Sequence, residues 1–252
     1  MVTMDNIIEY ANGKSVQRGA FAITFDDGFD NNLSVAAPVL KKHLVPAIFY
    51  VTTNFVSNNL MSWIDRIDWS IESIPDNREY NVEVPWLSVP KKLYSFSDKL
   101  HFLKEVRRVV KSDSTIDQHM LADSLQDQLG LPRTISGFSE LDLKLSWEGL
   151  RSLEECELFT IGGHTHNHPI MTFLSASGLS DEIETCLNLL ESKANITTNH
   201  FAYPEGLSHC YNDKVISCLK QFGIECCLTA ETGTNDITLG SDLFRLKRIF
   251  VE

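Results

Sequence analysis

Short apolar runs recur along this chain, and between them the apolar residues change to helical spacing. Ala20–Phe25 is the first run. Val45-Pro46-Ala47-Ile48-Phe49-Tyr50-Val51 is the second, too apolar for a half-exposed hairpin strand and suited to one covered on both faces. Residues 33–43 between them read as a helix. The alternation resumes with a helix from Trp147, Ser146 being its N-cap, followed by the run Leu158–Ile161. Ile183, Cys186, Leu187 and Leu190 form the apolar stripe of another helix, which precedes His200–Tyr203. A helix over Val215–Phe222 stops at Gly223 and leads into Ile224–Thr229, and a last strand is expected over Leu246–Val251.

Strands alternating with helices predict an α/β fold with a parallel sheet or barrel and right-handed crossovers. The pattern breaks over residues 57–146, a polar and mainly helical stretch. There Leu100, Leu103, Val106 and Val110 mark one amphipathic helix, and Ile116, Met120 and Leu129 another that ends at Gly130. This stretch reads as an insertion after the second strand. Trp63 and Asp65 near its start are candidates to reach a substrate, and the alternative is that Trp63, Trp69 and Trp86 pack the insertion.

Polar chemistry follows the strand runs. Thr24-Phe25-Asp26-Asp27-Gly28 closes the first, His164-Thr165-His166-Asn167-His168 follows Leu158–Ile161, and Tyr203-Pro204-Glu205-Gly206 follows His200–Ala202. In parallel α/β folds the carboxyl ends of strands are where active sites lie. Two adjacent carboxylates repel, so a fold that keeps both near its interior supplies a cation or lets one hold a proton. Asp27, His164 and His168 offer the carboxylate and imidazole ligands of a catalytic site that keeps one position for water. Gly162-Gly163 ahead of the histidines suggests a tightly turning backbone, and Pro169 disfavours a continuing helix.

With 252 residues, 43% of them hydrophobic, the chain is expected to be one domain over 1–252 carrying the insertion. A formal net charge of −12 disfavours a nucleic acid polymer or an anionic membrane surface as a bulk partner. The first ten residues lack the basic start and apolar core of a secretory signal, and no run approaches a membrane span, so a cytoplasmic chain without a transmembrane segment is expected. Six scattered cysteines without a Cys-x-x-Cys pair agree, and Cys226-Cys227 reads as buried packing.

Taken together, the Asp26-Asp27 motif, the His-Thr-x-x-His of His164–His168 and the Phe-Ala-Tyr-Pro-Glu-Gly of Phe201–Gly206 resemble the polysaccharide deacetylase family, also called the NodB-homology or carbohydrate esterase 4 family. The resemblance spans Phe21 to Ile249 apart from the insertion. It implies a distorted (β/α)7 barrel and a metal-dependent hydrolase that removes an N-acetyl or other N-acyl group from an aminosugar. It further implies that Asp26 is the general base, that Asp27, His164 and His168 hold a divalent ion, and that the metal and a backbone N–H of the Tyr203–Glu205 turn stabilise the oxyanion. Tyr203, Pro204 and Glu205 are thereby candidates for substrate binding.

Two departures accompany the resemblance. Many members carry an arginine in the third motif that orients the base; here Ala202 stands there, and Arg248 or Arg245 is the candidate replacement. Many also carry a histidine near the C-terminus as general acid, whereas this chain has none after His209, leaving His166 or His200. Zinc is the first expectation for the metal, with cobalt, nickel or manganese compatible with the same ligands. The expected substrate is an N-acylated aminosugar, nucleotide-linked or lipid-linked. Two alternatives stay open: a hydrolase of small non-carbohydrate amides, as in allantoinase-like relatives, and a carbohydrate-binding protein of this fold without turnover. The oligomeric state is not encoded in any of these features.

Overall fold

The computed structural model describes residues 1–15, 19–133 and 141–251. In chain order its elements are α1 (Met4–Ala11), β1 (Ile23–Phe25), a π-helical segment (Asn32–Ala36) running into α2 (Ala37–Lys42), β2 (Ala47–Val51), α3 (Thr53–Asn58) and α4 (Trp63–Ser73). They continue with β3 (Tyr80–Val82), β4 (Lys91–Leu93), α5 (Phe96–Val110), α6 (Gln118–Leu129), α7 (Trp147–Glu154) and β5 (Phe159–Gly163). A 3-10 turn (Met171–Phe173), α8 (Ala176–Ala194), β6 (His200–Ala202), α9 (Asp213–Gln221), β7 (Cys226–Thr232) and β8 (Leu246–Arg248) complete the chain. The chain divides into two compact units, Met1–Leu60 with Ser139–Glu252, and Met61–Phe138.

In the first unit a curled parallel sheet runs in the order β1-β2-β5-β6-β7-β8. This is the α/β architecture of a distorted barrel, with six paired strands among the described residues. Both faces are covered, which explains why β2 is buried at every position. Phe49 and Val51 face a layer with Leu150, Ile183, Leu190 and Leu219 from α7, α8 and α9. Ile48 and Tyr50 alternate to the other face and meet Ala202, Cys226, Leu228 and Leu246. Helix α1 closes that inner layer with Met4 and Ile8, and begins with a reciprocal cap between Thr3 and Asn6. That helix is not apparent from apolar runs alone.

The glycines before the histidine cluster serve packing rather than a turn. Both lie in β5, where a Cβ on Gly162 would stand 2.4 Å from the Tyr50 ring and one on Gly163 would stand 2.7 Å from the Phe201 ring. Ser146 does cap α7, accepting from the Gly149 N–H at 3.0 Å.

The second unit has its own core of Trp63, Ile67, Ile71, Val82, Leu93, Phe102, Val106, Val110, Leu121 and Leu125, built by α4, α5, α6 and the antiparallel pair β3–β4. Two expected stripes shift there. On α5 the buried face runs through Phe102, Val106 and Val110 while Leu100 is exposed, and on α6 Leu121, Ala122 and Leu125 are buried while Met120 is exposed. Helix α6 ends at Gly130 in the left-handed region. Among the described residues no helix is long and apolar enough to cross a membrane.

Candidate metal centre

The carboxyl ends of β1 and β5 bring the two sequence motifs together. After β1 the chain enters the left-handed region at Asp27 (φ 71°) and Gly28 (φ 76°), a conformation costly for an aspartate and easy for glycine. Bracing holds this turn in place. Leu145 N–H donates to the Gly28 carbonyl at 2.8 Å, Asp30 N–H donates to Leu143 at 2.8 Å, and the Lys144 ammonium lies 3.1 Å from the Phe29 ring centroid. At β5 the His164 N–H donates to the Val51 carbonyl at 3.0 Å, and Thr52 Oγ1 donates to the His164 carbonyl at 3.0 Å. Thr165 and His168 are both left-handed, and Thr165 Oγ1 joins them by accepting from the His168 N–H at 3.0 Å. Non-glycine residues held this way cluster at functional sites, where the surrounding structure over-determines them.

Asp27 Oδ1 lies 3.5 Å from His164 Nε2 and 3.3 Å from His168 Nε2, and the three ligand atoms fall within 4.8 Å of one another. His164 Nδ1 donates to the Ala202 carbonyl at 2.8 Å, which leaves Nε2 with its lone pair toward Asp27. Burial holds the His164 pKa below the usual imidazole range, favouring the neutral, ligating form over the attraction of Asp26 and Asp27. Phe55 stacks on the His168 ring at 5.9 Å.

These residues fit a divalent ion. Asp27 Oδ1 is buried without a hydrogen-bond partner although it is a carboxylate oxygen. Bonds of about 2.0–2.1 Å in a tetrahedral arrangement put neighbouring ligand atoms about 3.3 Å apart, close to the two carboxylate–imidazole separations seen. The donor set of one carboxylate and two imidazoles suits zinc and related ions.

Asp26, next in the chain, has a different environment. Arg248 grips it with both ends of its fork, Nη1 to Oδ1 and Nη2 to Oδ2, each at 2.8 Å. Arg248 is itself fixed by Nε donating to the Thr229 carbonyl at 2.7 Å, so a side chain of β8 ties the far edge of the sheet to the end of β1. Burial would raise the Asp26 pKa, but His164, Arg248 and His168 outweigh it and hold the carboxyl below the ordinary carboxylate range. Arg245 instead pairs at the surface with Asp213 and Asp242.

Several other expected site residues are engaged in contacts of their own. Tyr203 is 1% exposed, donates its hydroxyl to the Phe244 carbonyl at 2.9 Å, and stacks on Tyr211 at 4.6 Å. It is a core residue, and its N–H is committed to the Leu228 carbonyl; neither it nor the buried Pro204, which has no N–H, can be an oxyanion donor. Glu205 is half-buried and left-handed. Trp63, 2% exposed, packs within the core of the second unit, and Asp65 sits in the first turn of α4, its N–H capped by Ser62. His166 turns its Nδ1 to Thr53 Oγ1 at 2.9 Å and is not among the converging ligands. His200 opens β6 and contacts Asp5 of α1 at 2.8 Å, at the amino end of its strand, opposite the site.

Sequence reasoning passed over Glu182 of α8. Its Oε2 accepts the N–H groups of His166 and Asn167 at 2.9 and 2.8 Å, and its Oε1 accepts from Asn167 Nδ2 at 2.6 Å. Nothing in the sequence flags it, since a glutamate on an amphipathic helix is ordinary.

The parallel sheet and this strand-end cluster define a class, and the chain belongs to the polysaccharide deacetylase family: the family model described as "Polysaccharide deacetylase" matches residues 13–227. Arg248 lies beyond the matched segment. No curated protein matches the chain in sequence. Among solved structures it is similar to the Streptococcus pyogenes deacetylase PplD in complex with acetate, at 16% identity and TM-score 0.57, covering 99% of this chain and 72% of that one. It is similar to the BpsB deacetylase domain from Bordetella bronchiseptica at 16% identity and TM-score 0.58, covering 98% and 77%. IcaB from Ammonifex degensii is similar at 18% identity and TM-score 0.58, covering 100% and 76%. These likenesses are of fold.

Proposed function

We propose that this chain is a metal-dependent hydrolase that removes an N-acetyl or other N-acyl group from an aminosugar. One observation carries the reading: three ligand-type atoms from Asp27, His164 and His168 converge beside a second carboxylate, Asp26, that has its own cation. Membership of the deacetylase family supports the reaction class, and PplD, whose fold is similar, is a deacetylase with acetate bound.

Asp27, His164 and His168 would hold the ion, zinc first and cobalt, nickel or manganese by the same donors. A divalent ion there supplies Lewis acidity, polarising an amide carbonyl and lowering the pKa of water. Asp26 takes the proton of the attacking water. Arg248 keeps Asp26 ionised and aimed, and because each carboxylate oxygen has two acceptor positions, the fork leaves one on each free for that proton. His164 keeps its ligating nitrogen directed by giving its other N–H to Ala202.

The test pairs metal content with acyl release. Protein purified without chelators should carry about one divalent ion per chain, the His164→Ala/His168→Ala variant none, and the loaded wild type should release acetate from N-acetylglucosamine in free, nucleotide-linked, lipid-linked or oligomeric form. Absence of both ion and acyl release after loading with zinc or cobalt would overturn the proposal.

A further inference from the structure

The ligand loop 164–168 contains two left-handed non-glycine residues, Thr165 and His168, and needs outside support to stay in that shape. Support converges from two helices. From α3, Asn54 N–H donates to the His166 carbonyl at 2.9 Å, Asn54 Nδ2 donates to Asn167 Oδ1 at 2.7 Å, and Thr53 Oγ1 contacts His166 Nδ1 at 2.9 Å. From α8 comes one side chain, Glu182, whose single oxygen Oε2 takes two consecutive backbone N–H groups while Oε1 takes the Asn167 amide. Among the described residues no lysine or arginine pairs with Glu182, and its carboxylate accepts its hydrogen bonds from the ligand loop. Helix α8 is anchored in the first core by Ile183, Cys186 and Leu190, which makes it a rigid mount.

We propose that Glu182 is a positioning residue of the metal centre, fixing the peptide planes around His166 and Asn167 so that His164 and His168 meet Asp27. This rests on the metal reading given above. The hydrogen bonds of Glu182 go to none of the three ligand side chains, so its effect passes through the loop between His164 and His168. Outer partners of metal ligands typically set affinity by about 10- to 100-fold.

The experiment measures zinc affinity of purified apoprotein by competition with a chromophoric chelator, together with the visible spectrum of the cobalt-loaded form and the Tm of the apoprotein. Glu182→Ala should weaken zinc about 10- to 100-fold and alter the cobalt band. Glu182→Gln keeps one acceptor oxygen for both N–H groups and should recover to within a few-fold of wild type. Asn167→Ala, which removes only the Oε1 contact and the bridge to Asn54, should show a smaller loss in the same direction; it carries the test if Glu182→Ala does not fold. Zinc affinity and cobalt spectrum unchanged in the variants, with only Tm lowered, would make Glu182 a plain structural contact and overturn the proposal. Wild type that binds no ion would overturn the metal reading itself, which distinguishes the two failures.

Discussion

The ion pairs of the second unit and the carboxylates at the strand ends of the first part company at one residue. In the second unit cations and carboxylates come together: Lys99 meets Asp76 at 2.8 Å, Lys91 meets Glu105 at 3.1 Å, and Arg66 and Arg107 pair with Asp123 and Asp68. At the strand ends Asp26 follows the same rule with Arg248, but Asp27 does not. It faces two imidazoles, one of them held toward neutrality by burial, and its inner oxygen has no hydrogen-bond donor. A carboxylate oxygen buried with neither a cation nor a hydrogen-bond donor, next to a carboxylate that has its own arginine, marks where an external cation belongs.

Removing the imidazoles breaks this contrast most completely. His164→Ala/His168→Ala should take metal content from about one ion per chain to none, and acyl release should fall by more than the roughly 100-fold that loss of an outer partner costs, read by mass spectrometry and acetate assay. Chelation of the wild type should lower its Tm, since an ion at 100 times its Kd contributes about 2.7 kcal/mol of linked stability. Lys99→Met in the second unit should leave metal content unchanged. A chain still carrying an ion after both histidines are lost would place the ion elsewhere.

Asp26→Asn separates the two adjacent carboxylates. The ion should remain, because Asp26 is held by Arg248 rather than by the ligand cluster, while acyl release should drop by about 10²- to 10⁴-fold, the usual contribution of a general base. Loss of the ion together with activity would make Asp26 a ligand.

Arg248→Met has a smaller effect, with a direction in pH. Burial pushes the Asp26 carboxyl up and Arg248 is among the groups that bring it down, so removing the fork should move the acid limb of the activity profile to higher pH. The stability effect lies at the other end of the scale. A carboxyl depressed in the folded state contributes stability fully present above the ordinary carboxylate range and lost as pH falls through its lowered value, so the variant should be less stable than wild type near neutrality and the gap should close on acidification. Matching acid limbs in wild type and variant would disconnect Arg248 from the base.

Much of the first unit was legible because burial on both faces leaves an apolar run that only a covered parallel strand explains, as in Ala47–Val51. The ligand candidates were legible because a carboxylate and two imidazoles, each set directly after an apolar strand run, have few other uses. Arg248 was one of two candidates, and only the curl of the sheet, which brings β8 to the end of β1, distinguishes it from Arg245. Helical stripes were less readable. On α5 two interleaved apolar sets are present, and packing against α4 and β4 selects Phe102, Val106 and Val110 over Leu100. Glu182 could not be found at all, since its Oε2 partners are backbone groups, which carry no sequence signal, and its Oε1 partner is an ordinary asparagine amide.

Tyr203 tests the boundary between site and support at the low end of the scale. It sits one residue beyond β6, in a motif that the family resemblance ties to substrate, yet its hydroxyl ends on the Phe244 carbonyl and its ring on Tyr211. Tyr203→Phe removes one buried hydrogen bond and no volume from the stack. It should cost roughly 1 kcal/mol of stability, a Tm lower by about 2–4 °C for a chain of this size. Zinc affinity, kcat and KM should stay as in wild type, because the N–H that pairs with Leu228 is unaffected and no ligand atom leans on the hydroxyl. A KM raised with Tm unchanged would return Tyr203 to the substrate surface and move the edge of the site one turn inward along β6.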